Sequence, residues 1–397
     1  MRILVLTFYY PPDLSAGSFR TGALTKALLA AAPPGTTIDV VTTRPNRYHT
    51  FNAFPEETHN TDAVTVHRIG LPPHMGGIAD QSRAFLVFAR EALSLTRGRS
   101  YEVVFATSSR LMTAALGAWI ARRAKSRLYL DLRDIFVDTM RDVALGPIAQ
   151  VLRPFFALVE RWTVSRANKV NLVSPGFAGY FESRYPRQKF SYFTNGIDDE
   201  FMNAGPVGSK ERSTVASLER PVTVLYAGNI GEGQGMDCVL PSLARRMEGR
   251  VRFRVIGDGG RKNELARALV AAGVSTVELL DPVARAELVS AYKEADVLFL
   301  HLNDYDAFRK VLPSKIFEYA AMGKPIWAGV AGYSAEFIAS EVTNAAVFAP
   351  RDVSGAIRAF ESLRLRDECR TQFIERHSRD RISREMAADI VATSQGI

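Results

Sequence analysis

The chain has few cysteines and lacks long apolar runs, which excludes disulfide-rich, zinc-finger-like and membrane-spanning proteins. Only two cysteines occur in 397 residues, Cys238 and Cys369, which excludes a disulfide framework and a cysteine-rich zinc site. No stretch approaches the ~18 apolar residues of a membrane span. The N-terminal MRILVLTFYY lacks a cationic leader with a cleavage site. We therefore expect a soluble protein of a reducing cytoplasm.

Metal-binding and nucleotide-binding signatures of the common kinds are also missing. None of the six histidines lies four residues from another, so a metal site has little support. The segment IGDGG (256–260) falls short of the GxGxxG fingerprint, and no GxxxxGK[ST] loop is present. No zinc-finger, RRM-like or heptad pattern accompanies the basic residues. Nucleic acid is therefore not an expected partner.

The net charge of +8 is unevenly distributed along the chain. Residues 1–200 hold 24 Lys and Arg against 17 Asp and Glu, whereas the remainder is nearly balanced at 26 against 25. Part of the excess accompanies apolar stretches such as AFLVFAREALSL (84–95). This pattern is compatible with a solvated basic face or with an anionic membrane surface, and both alternatives stay open. The residues concerned are Arg83, Arg90, Arg97, Arg99, Arg122, Arg123, Lys125 and Arg127.

Short apolar runs alternate with longer helical patterns, which predicts an α/β protein with two doubly wound parallel sheets. A polar segment rich in Gly and Ser, residues 195–221, separates the two series and is interpreted as a linker. The predicted strands of the first series are 2–8, 37–43, 102–108, 127–133 and 169–174. Those of the second series are 221–228, 251–259, 277–280, 296–302 and 325–330.

Three unusual segments follow predicted strands, at the edge where open α/β sheets bind ligands. Residues 8–29 follow the first strand and are expected to enter a helix near Arg20. The glycine-rich segment 226–240 opens the second half. The third, LPSKIFEYAAMGKPI (312–326), predicts a short helix that begins at Pro313 and Ser314, with a Ser cap, and ends at Gly323. Helix N-termini and glycine amides favour anions, so both halves offer phosphate sites.

In this order along the chain, the motifs resemble glycosyltransferase family 4, the retaining nucleotide-sugar glycosyltransferases of the GT-B fold. The resemblance covers YYPPDLSAG, DLRD (131–134), FTNGID (193–198), YAGNIGEGQGMD, IGDG and LPSKIFEYAAMGKPI. It implies two Rossmann-like domains that face a central cleft. The expected acceptor domain is 1–200, the donor domain is 201–375, and a helix at 376–397 crosses back to the first domain.

The resemblance also implies roles for individual residues. Glu318 would bind the donor ribose, a role that suits a carboxylate because charge-assisted hydrogen bonds to paired hydroxyls are strong. Lys315 and Lys310 would balance the diphosphate charge, and Arg133 and Asp134 are the other catalytic candidates. Asp134 could equally be a structural cap. The remaining donor-binding candidates are Gly17, Asn229, Gly231, Gln234, Asp258, Pro282, Pro313 and Ser314.

Three departures from the family pattern bear on the chemistry. Lys310 stands where many members have a first glutamate, and Arg133 stands where a histidine is usual. Asn229 and Gln234 replace a phosphate-binding Arg and Lys. These features resemble the branch that builds surface polysaccharides, such as lipopolysaccharide, capsule or O-antigen, often with N-acetylated or deoxy amino sugars.

The resulting expectation is a metal-independent, cofactor-free retaining transferase, peripheral at the inner membrane face. Its partners would be a nucleotide-sugar donor and a lipid-linked or saccharide acceptor. No protein nucleophile is needed, because the donor phosphate can take the acceptor proton and the protein contributes positioning and charge. Two alternatives stay open: a non-hydrolysing nucleotide-sugar epimerase, and a non-catalytic partner that binds a nucleotide sugar for another transferase.

Overall fold

The computed structural model describes residues 1–13, 15–45, 58–72, 78–108, 110–143, 147–206 and 220–396. The chain divides into two compact units. The first unit comprises Met1–Asn195 together with Arg379–Ile397, and the second comprises Gly196–Ser378. The divisions fall after Asn195 and after Ser378, whereas the resemblance implied limits after residues 200 and 375. Most of the polar segment expected as a linker, 207–219, lies outside the described residues.

The first unit is built on an eight-stranded sheet in the order β3-β4-β2-β1-β5-β6-β7-β8. All neighbouring strands are parallel except β3, which pairs antiparallel with β4 at one edge. β1, β2, β5 and β6 are almost entirely buried, as central strands covered on both faces must be. The strands are β1 (Arg2–Leu6), β2 (Thr37–Thr43), β3 (Thr58–Asn60), β4 (Val64–Ile69), β5 (Val103–Thr107), β6 (Arg127–Leu132), β7 (Lys169–Leu172) and β8 (Phe190–Ser191).

Six helices accompany this sheet within the first 195 residues that are described. Helix α1 starts at Ala16, capped by Ser15, whose Oγ accepts a hydrogen bond of 3.1 Å from the Ser18 amide. The expected start near Arg20 was therefore wrong, because the Ser15 cap begins the helix a turn earlier. The helices are α1 (Ala16–Ala31), α2 (Ile78–Thr96), α3 (Leu111–Ala124), α4 (Phe136–Val143), α5 (Pro147–Val164) and α6 (Ala178–Arg184).

The second unit has a six-stranded, all-parallel sheet in the order β11-β10-β9-β12-β13-β14. This is the 3-2-1-4-5-6 order of the Rossmann fold, in which the strand order reverses between the first and fourth strands. That switch point lies between β9 and β12. The strands are β9 (Val222–Ala227), β10 (Val251–Ile256), β11 (Val277–Leu280), β12 (Val297–His301), β13 (Ile326–Gly329) and β14 (Ala345–Phe348).

Helices cover both faces of the second sheet, and two buried clusters form its core. Trp327 lies at the centre of one cluster, against Phe253, Phe299 and Phe360. The helices are α7 (Asp199–Met202), α8 (Met236–Arg246), α9 (Lys262–Ala271), α10 (Arg285–Glu294), α11 (Lys315–Ala321), α12 (Tyr333–Glu341), α13 (Val353–Ser362) and α14 (Thr371–Arg376).

The last helix, α15 (Arg379–Gln395), belongs to the first unit and packs along α1. Met386, Ala387 and Ile390 enter the apolar core that β1, β2 and β5 share with α1. Asp389 accepts a hydrogen bond of 2.8 Å from the Tyr129 hydroxyl and pairs with Lys169. Burial and the Asp389 charge raise the pKa of Tyr129 well above its usual range, so the phenol stays protonated and donates.

AFLVFAREALSL (84–95) lies within α2, and much of its apolar character serves the core. Ala84, Phe88 and Ala92 are fully buried, whereas Leu86 is 67% exposed. None of the helices in the described parts of the chain combines the length and the apolarity that crossing a bilayer requires. One face of α2 is thus buried, and Leu86, Arg83 and Arg90 are exposed.

Candidate active site

The glycine-rich loop after β9 carries a lysine against its first turn. Gly228 has φ +140, and a Cβ at this position would lie 2.3 Å from Nζ of Lys315. The Lys315 ammonium lies 3.0 Å from the hydroxyl of Tyr226 and 4.3 Å from the centre of its ring. Only glycine leaves room for this approach. Lys315 therefore delivers positive charge to the loop at the switch point of the sheet.

Asn229 and Gln234 bond to each other across the same loop. The Gln234 Oε1 atom accepts hydrogen bonds from Asn229 Nδ2, at 2.8 Å, and from the Gly231 amide, at 3.2 Å. Asn229 and Gln234, at positions where many family members have an Arg and a Lys, therefore stabilise the conformation of the loop. Lys315, one of the two lysines expected to balance the diphosphate charge, contacts this loop.

A buried histidine fixes the far end of the glycine-rich loop. His301 Nδ1 donates to the Gln234 carbonyl at 2.6 Å, and Nε2 accepts from the Arg351 amide at 3.2 Å. Burial lowers the pKa of His301 to about 4, so at neutral pH the ring is neutral with its proton on Nδ1. Asn303 bonds to the carbonyls of Glu232 and Gly233 beside it. The loop is thus held by side chains from the end of β12.

The turn after β10 packs directly on the glycine-rich loop. Gly257 has φ +155, and a Cβ there would lie 1.9 Å from the Gly228 carbonyl oxygen. The Ile230 amide donates to the Asp258 carbonyl at 2.8 Å, while the Asp258 carboxylate accepts from the Gly259 amide. Asp258 therefore shapes this turn. Pro282 follows the neighbouring strand β11 and is half-buried.

Glu318 lies one turn into α11 and belongs to a polar cluster. The Tyr292 hydroxyl donates to Glu318 Oε2 at 3.2 Å. Arg285 pairs with Asp198 and Glu200 and lies 4.9 Å from the centre of the Phe201 ring. Although burial acts to lower it, the pKa of Arg285 is raised by Asp198, Glu318 and Glu200. Glu318 is half-buried, so this oriented carboxylate remains accessible to a ligand.

The start of α11 differs from its expected form. The helix begins at Lys315, two residues after Pro313, and the Ser314 side chain makes no cap hydrogen bond. Ser314 has helical angles, and a cap side chain needs extended backbone to reach the following amides. Lys310 is half-buried at the end of a one-turn 3-10 helix, Phe308–Lys310. Its neighbour Arg309 bonds to Asp304 at 3.0 Å.

The end of α11 is held by a buried arginine that the sequence did not single out. Arg370 donates to the carbonyl oxygens of Ala320, Lys324 and Thr343. Gly323 closes the helix with φ +72, as expected. Because Arg370 satisfies carbonyls beyond the last turn, it fixes the position of the helix that carries Lys315 and Glu318.

In the first unit, a buried ion pair joins two of the motifs. Arg20 binds Asp131 through Nε and Nη2, both at 3.0 Å, and donates to the carbonyls of Phe193 and Thr194. Asn171 donates to the same carboxylate at 2.7 Å. Asp131 opens the DLRD segment and Thr194 lies in FTNGID. The signal available in the sequence was an arginine that is the only charged residue between 15 and 25, in the first half of α1, since a buried arginine requires a partner.

Arg133 lies against the first turn of α1. A Cβ at Gly17 would lie 3.7 Å from Arg133 Cζ and 3.8 Å from its Nη1. That Nη1 is shielded from solvent and has no hydrogen-bond partner among the described residues. Burial lowers the pKa of Arg133 to about 10, with repulsion from Arg20 and Arg379 added, yet the guanidinium remains charged at neutral pH. Asp134 is exposed. The geometry offers an anion a guanidinium and a helix N-terminus together.

Sequence comparison identifies the family. Residues 20–196 match the model of a glycosyl transferase 4-like domain, and residues 221–364 match that of glycosyl transferases group 1. Together the two matches span most of the chain, one in each unit. The chain therefore belongs to the group 1 and 4-like glycosyltransferases.

Relatives agree with this assignment at low identity. A protein named as a colanic acid biosynthesis glycosyl transferase, WcaI of Escherichia coli (strain K12), is 24% identical over 213 residues. That match covers 51% of this chain and 51% of the relative, so the chain spans about half the length of this curated relative.

Solved structures show the same fold. Anabaena HepE with UDP and glucose superposes with a TM-score of 0.59 at 15% identity, covering 100% of this chain and 98% of that one. WaaG, a glycosyltransferase involved in lipopolysaccharide biosynthesis, gives 0.61 at 12% identity with the same coverage. A trehalose-phosphate synthase from Burkholderia xenovorans gives 0.62 at 12% identity, covering 100% and 98%. The protein therefore has the GT-B architecture of two parallel-sheet domains.

Proposed function

We propose that the protein is a retaining glycosyltransferase of surface-polysaccharide biosynthesis. It would move a sugar from a nucleotide-diphosphate donor to a lipid-linked or saccharide acceptor. The observation that carries the proposal is the pairing of Lys315 and Glu318 on one short helix at the switch point of the second sheet, with Lys315 against the glycine-rich loop. A cation and a carboxylate about one turn apart match the diphosphate and the ribose of one nucleotide.

The chemistry follows from these charges. The acceptor oxygen attacks the anomeric carbon, the bond from that carbon to the phosphate oxygen breaks, and the acceptor proton passes to the departing phosphate. Lys315, with Lys310 nearby in sequence, stabilises the negative charge that develops on the leaving group. In the first unit, Gly17 and Arg133 are proposed to bind an anionic group of a substrate, with Asp134 near a sugar hydroxyl. The names of WcaI and WaaG support a role in polysaccharide biosynthesis. We further propose that the transferred sugar is an N-acetylated or deoxy amino sugar.

The nucleotide site is tested by calorimetric titration of nucleoside diphosphates into Glu318→Ala. Loss of the ribose contacts should weaken binding by about 10- to 100-fold. Glu336→Ala is the matched control, because Glu336 is an exposed carboxylate on α12 of the same unit. An unchanged affinity in folded Glu318→Ala would overturn the assignment.

Transfer itself is tested by nucleotide release in the presence of a lipid-linked or saccharide acceptor. Acceptor-dependent release with a retained anomeric configuration is expected. Donor epimerisation without an acceptor would instead identify an epimerase, and nucleotide binding without either reaction would identify a non-catalytic partner. We also propose that no metal takes part. Turnover should then survive exhaustive chelation, and activity that returns only with Mg²⁺ or Mn²⁺ would contradict this part.

A further inference from the structure

The first unit contains a cavity whose charged and aromatic lining has no role in the proposed donor site. It has a volume of about 570 Å³ and opens to solvent between α4, α5 and α6. This volume lies within the range of small-molecule sites. Its wall begins at Val137, four residues after Arg133, and includes Arg153, Arg161 and Arg184. We call it the α5 cavity, because five of its ten lining residues lie on α5.

The opening of the α5 cavity is cationic, although its wall also contains two acids. Arg153 and Arg161 are exposed, whereas Asp138 and Glu160 are only 7% and 4% exposed. Glu160 accepts hydrogen bonds from the hydroxyls of Tyr180, at 3.0 Å, and Tyr185, at 3.1 Å. The acid is therefore engaged in the floor of the cavity, while guanidinium groups face an entering ligand.

Arg153 and Arg161, both exposed and both on α5, suit a ligand with several phosphate oxygens. Eight residues of helix separate them, a rise of about 12 Å. Their long side chains can close this distance onto one group, and guanidinium binds phosphate oxygens in a bidentate manner. Arg184 lies over the Tyr180 ring at 3.7 Å and bonds to the Tyr180 carbonyl, which fixes its position in the wall.

An exposed apolar stripe runs along the same helix. Phe155 is 54% exposed and Leu158 is 66% exposed, and Leu158 lies at helical spacing both from Phe155 and from the cavity-lining residues Pro154 and Arg161. A soluble anion would leave these side chains without a role. An isoprenoid chain that leaves the cavity along α5 would cover them and would place the helix at a membrane surface.

We propose that the α5 cavity binds the diphosphate of a lipid-linked saccharide acceptor, with Arg153 and Arg161 on the phosphates and the lipid along Phe155 and Leu158. The tyrosines and Glu160 in the floor then lie where sugar hydroxyls adjoin the diphosphate. A simple phospholipid needs only a charged surface, so the depth of the cavity favours the saccharide-bearing lipid. This inference rests on the proposed function, since it names the acceptor of that transfer.

The test measures binding of the full chain to phosphatidylcholine vesicles of two kinds. One kind carries polyprenyl diphosphate, and the other carries phosphatidylglycerol at matched surface charge. We expect at least tenfold tighter binding to the polyprenyl diphosphate vesicles. Arg153→Gln with Arg161→Gln should remove this preference, and Leu158→Ser should weaken binding to both kinds.

Helix α2 supplies matched controls in the same unit. Arg83→Gln with Arg90→Gln removes two exposed charges seven residues apart, and Leu86→Ser removes a leucine that is 67% exposed, against 66% for Leu158. Both controls should leave the preference intact. Equal binding to the two vesicle types, or an equal loss in the α2 controls, would overturn the proposal. Soluble pyrophosphate that competes as well as the lipid would also overturn it, because the apolar stripe would then contribute nothing.

Nucleotide binding separates this inference from the proposed function. Titration of nucleoside diphosphates should give the same affinity for the chain and for every α5 variant, because their substitutions lie in the first unit. Glu318→Ala should keep the lipid preference. If no nucleotide binds while the lipid preference holds, the proposed function fails; if nucleotide binds and the preference is absent, only the acceptor site fails.

Discussion

The two units prepare their polar groups for ligands in different ways. In the second unit, the glycine-rich loop is fixed by His301, Asn303 and the Asn229–Gln234 pair, so its polar groups bond within the protein. In the first unit, the guanidinium of Arg133 has an Nη1 that is buried without a partner among the described residues. Groups that are already held in place lose little entropy when a ligand binds. A buried donor without a partner costs free energy, and an anion that accepts a hydrogen bond from it recovers that cost.

The two units also differ in the apolar side chains and the charge on their surfaces. Five of the six exposed large apolar side chains found among the described residues lie in the first unit: Leu86, Trp119, Phe155, Leu158 and Tyr192. The excess positive charge also lies there. The second unit exposes only Val270 of this set. The first unit is therefore the one whose surface suits an amphipathic partner, and the second is the one suited to a nucleotide.

The largest effect should come from breaking the contact between the two glycine turns of the second unit. Gly257→Ala places a Cβ 1.9 Å from the Gly228 carbonyl, at φ +155, and should lower the free energy of unfolding by about 4 kcal/mol. Gly249→Ala is the control, because it has φ +77 but nothing within 4 Å, and it should cost about 1 kcal/mol. Denaturant titration of both variants measures the difference, and equal losses would show that the turns are not in tight contact.

Acid should loosen the second unit through His301. The pKa of this group falls from about 6.5 in the unfolded chain to about 4 in the folded one, because burial disfavours the charged ring. The unfolded state then binds more protons between these values, so stability is complete above pH 6.5 and is lost as pH falls towards 4. The loss should reach about 3 kcal/mol. Unfolding measured at several pH values checks it, and His301→Gln should flatten the slope whereas exposed His59→Gln should not.

The smallest effects should come from the cations proposed to act in the two units. Lys315→Ala and Lys310→Ala should each lower turnover by about 10- to 100-fold, or about 1.4–2.7 kcal/mol of transition-state stabilisation. Arg133→Gln should lower turnover to a similar extent but leave the free energy of unfolding unchanged or higher, because it removes a buried charge with an unpaired donor. Steady-state kinetics with parallel unfolding curves test this contrast. A large loss of stability in Arg133→Gln would mean that Arg133 is structural.

Sequence patterns predicted the central strands well, because buried parallel strands are continuous apolar runs. All ten predicted strands are present, with limits that differ by a few residues at most. The missed strands, β3, β4, β8 and β14, are short or lie towards the sheet edges, where polar residues interrupt the pattern. The short helix expected within 312–326 is also present as α11, and its buried face, with Phe317, Ala320 and Ala321, recurs at helical spacing in the sequence.

Side-chain contacts over long sequence distances were not predictable in the same way. Arg20 and Asp131 are 111 residues apart, and the approach of Lys315 to Gly228 depends on how α11 packs against the end of β9. The resemblance implied that a cation balances the diphosphate charge, and Lys310 and Lys315 were the candidates. Only the three-dimensional packing selects Lys315, and the same holds for Tyr292 beside Glu318.

The return of α15 to the first unit has a consequence for how the protein is made. During synthesis the first 195 residues leave the ribosome long before Met386, Ala387 and Ile390, which complete their core beside α1. The second unit, encoded between them, can finish folding while the first still exposes an apolar groove. The first unit thus begins to fold first but is completed last. A chain that ends before residue 379 would lack part of the core of the first unit.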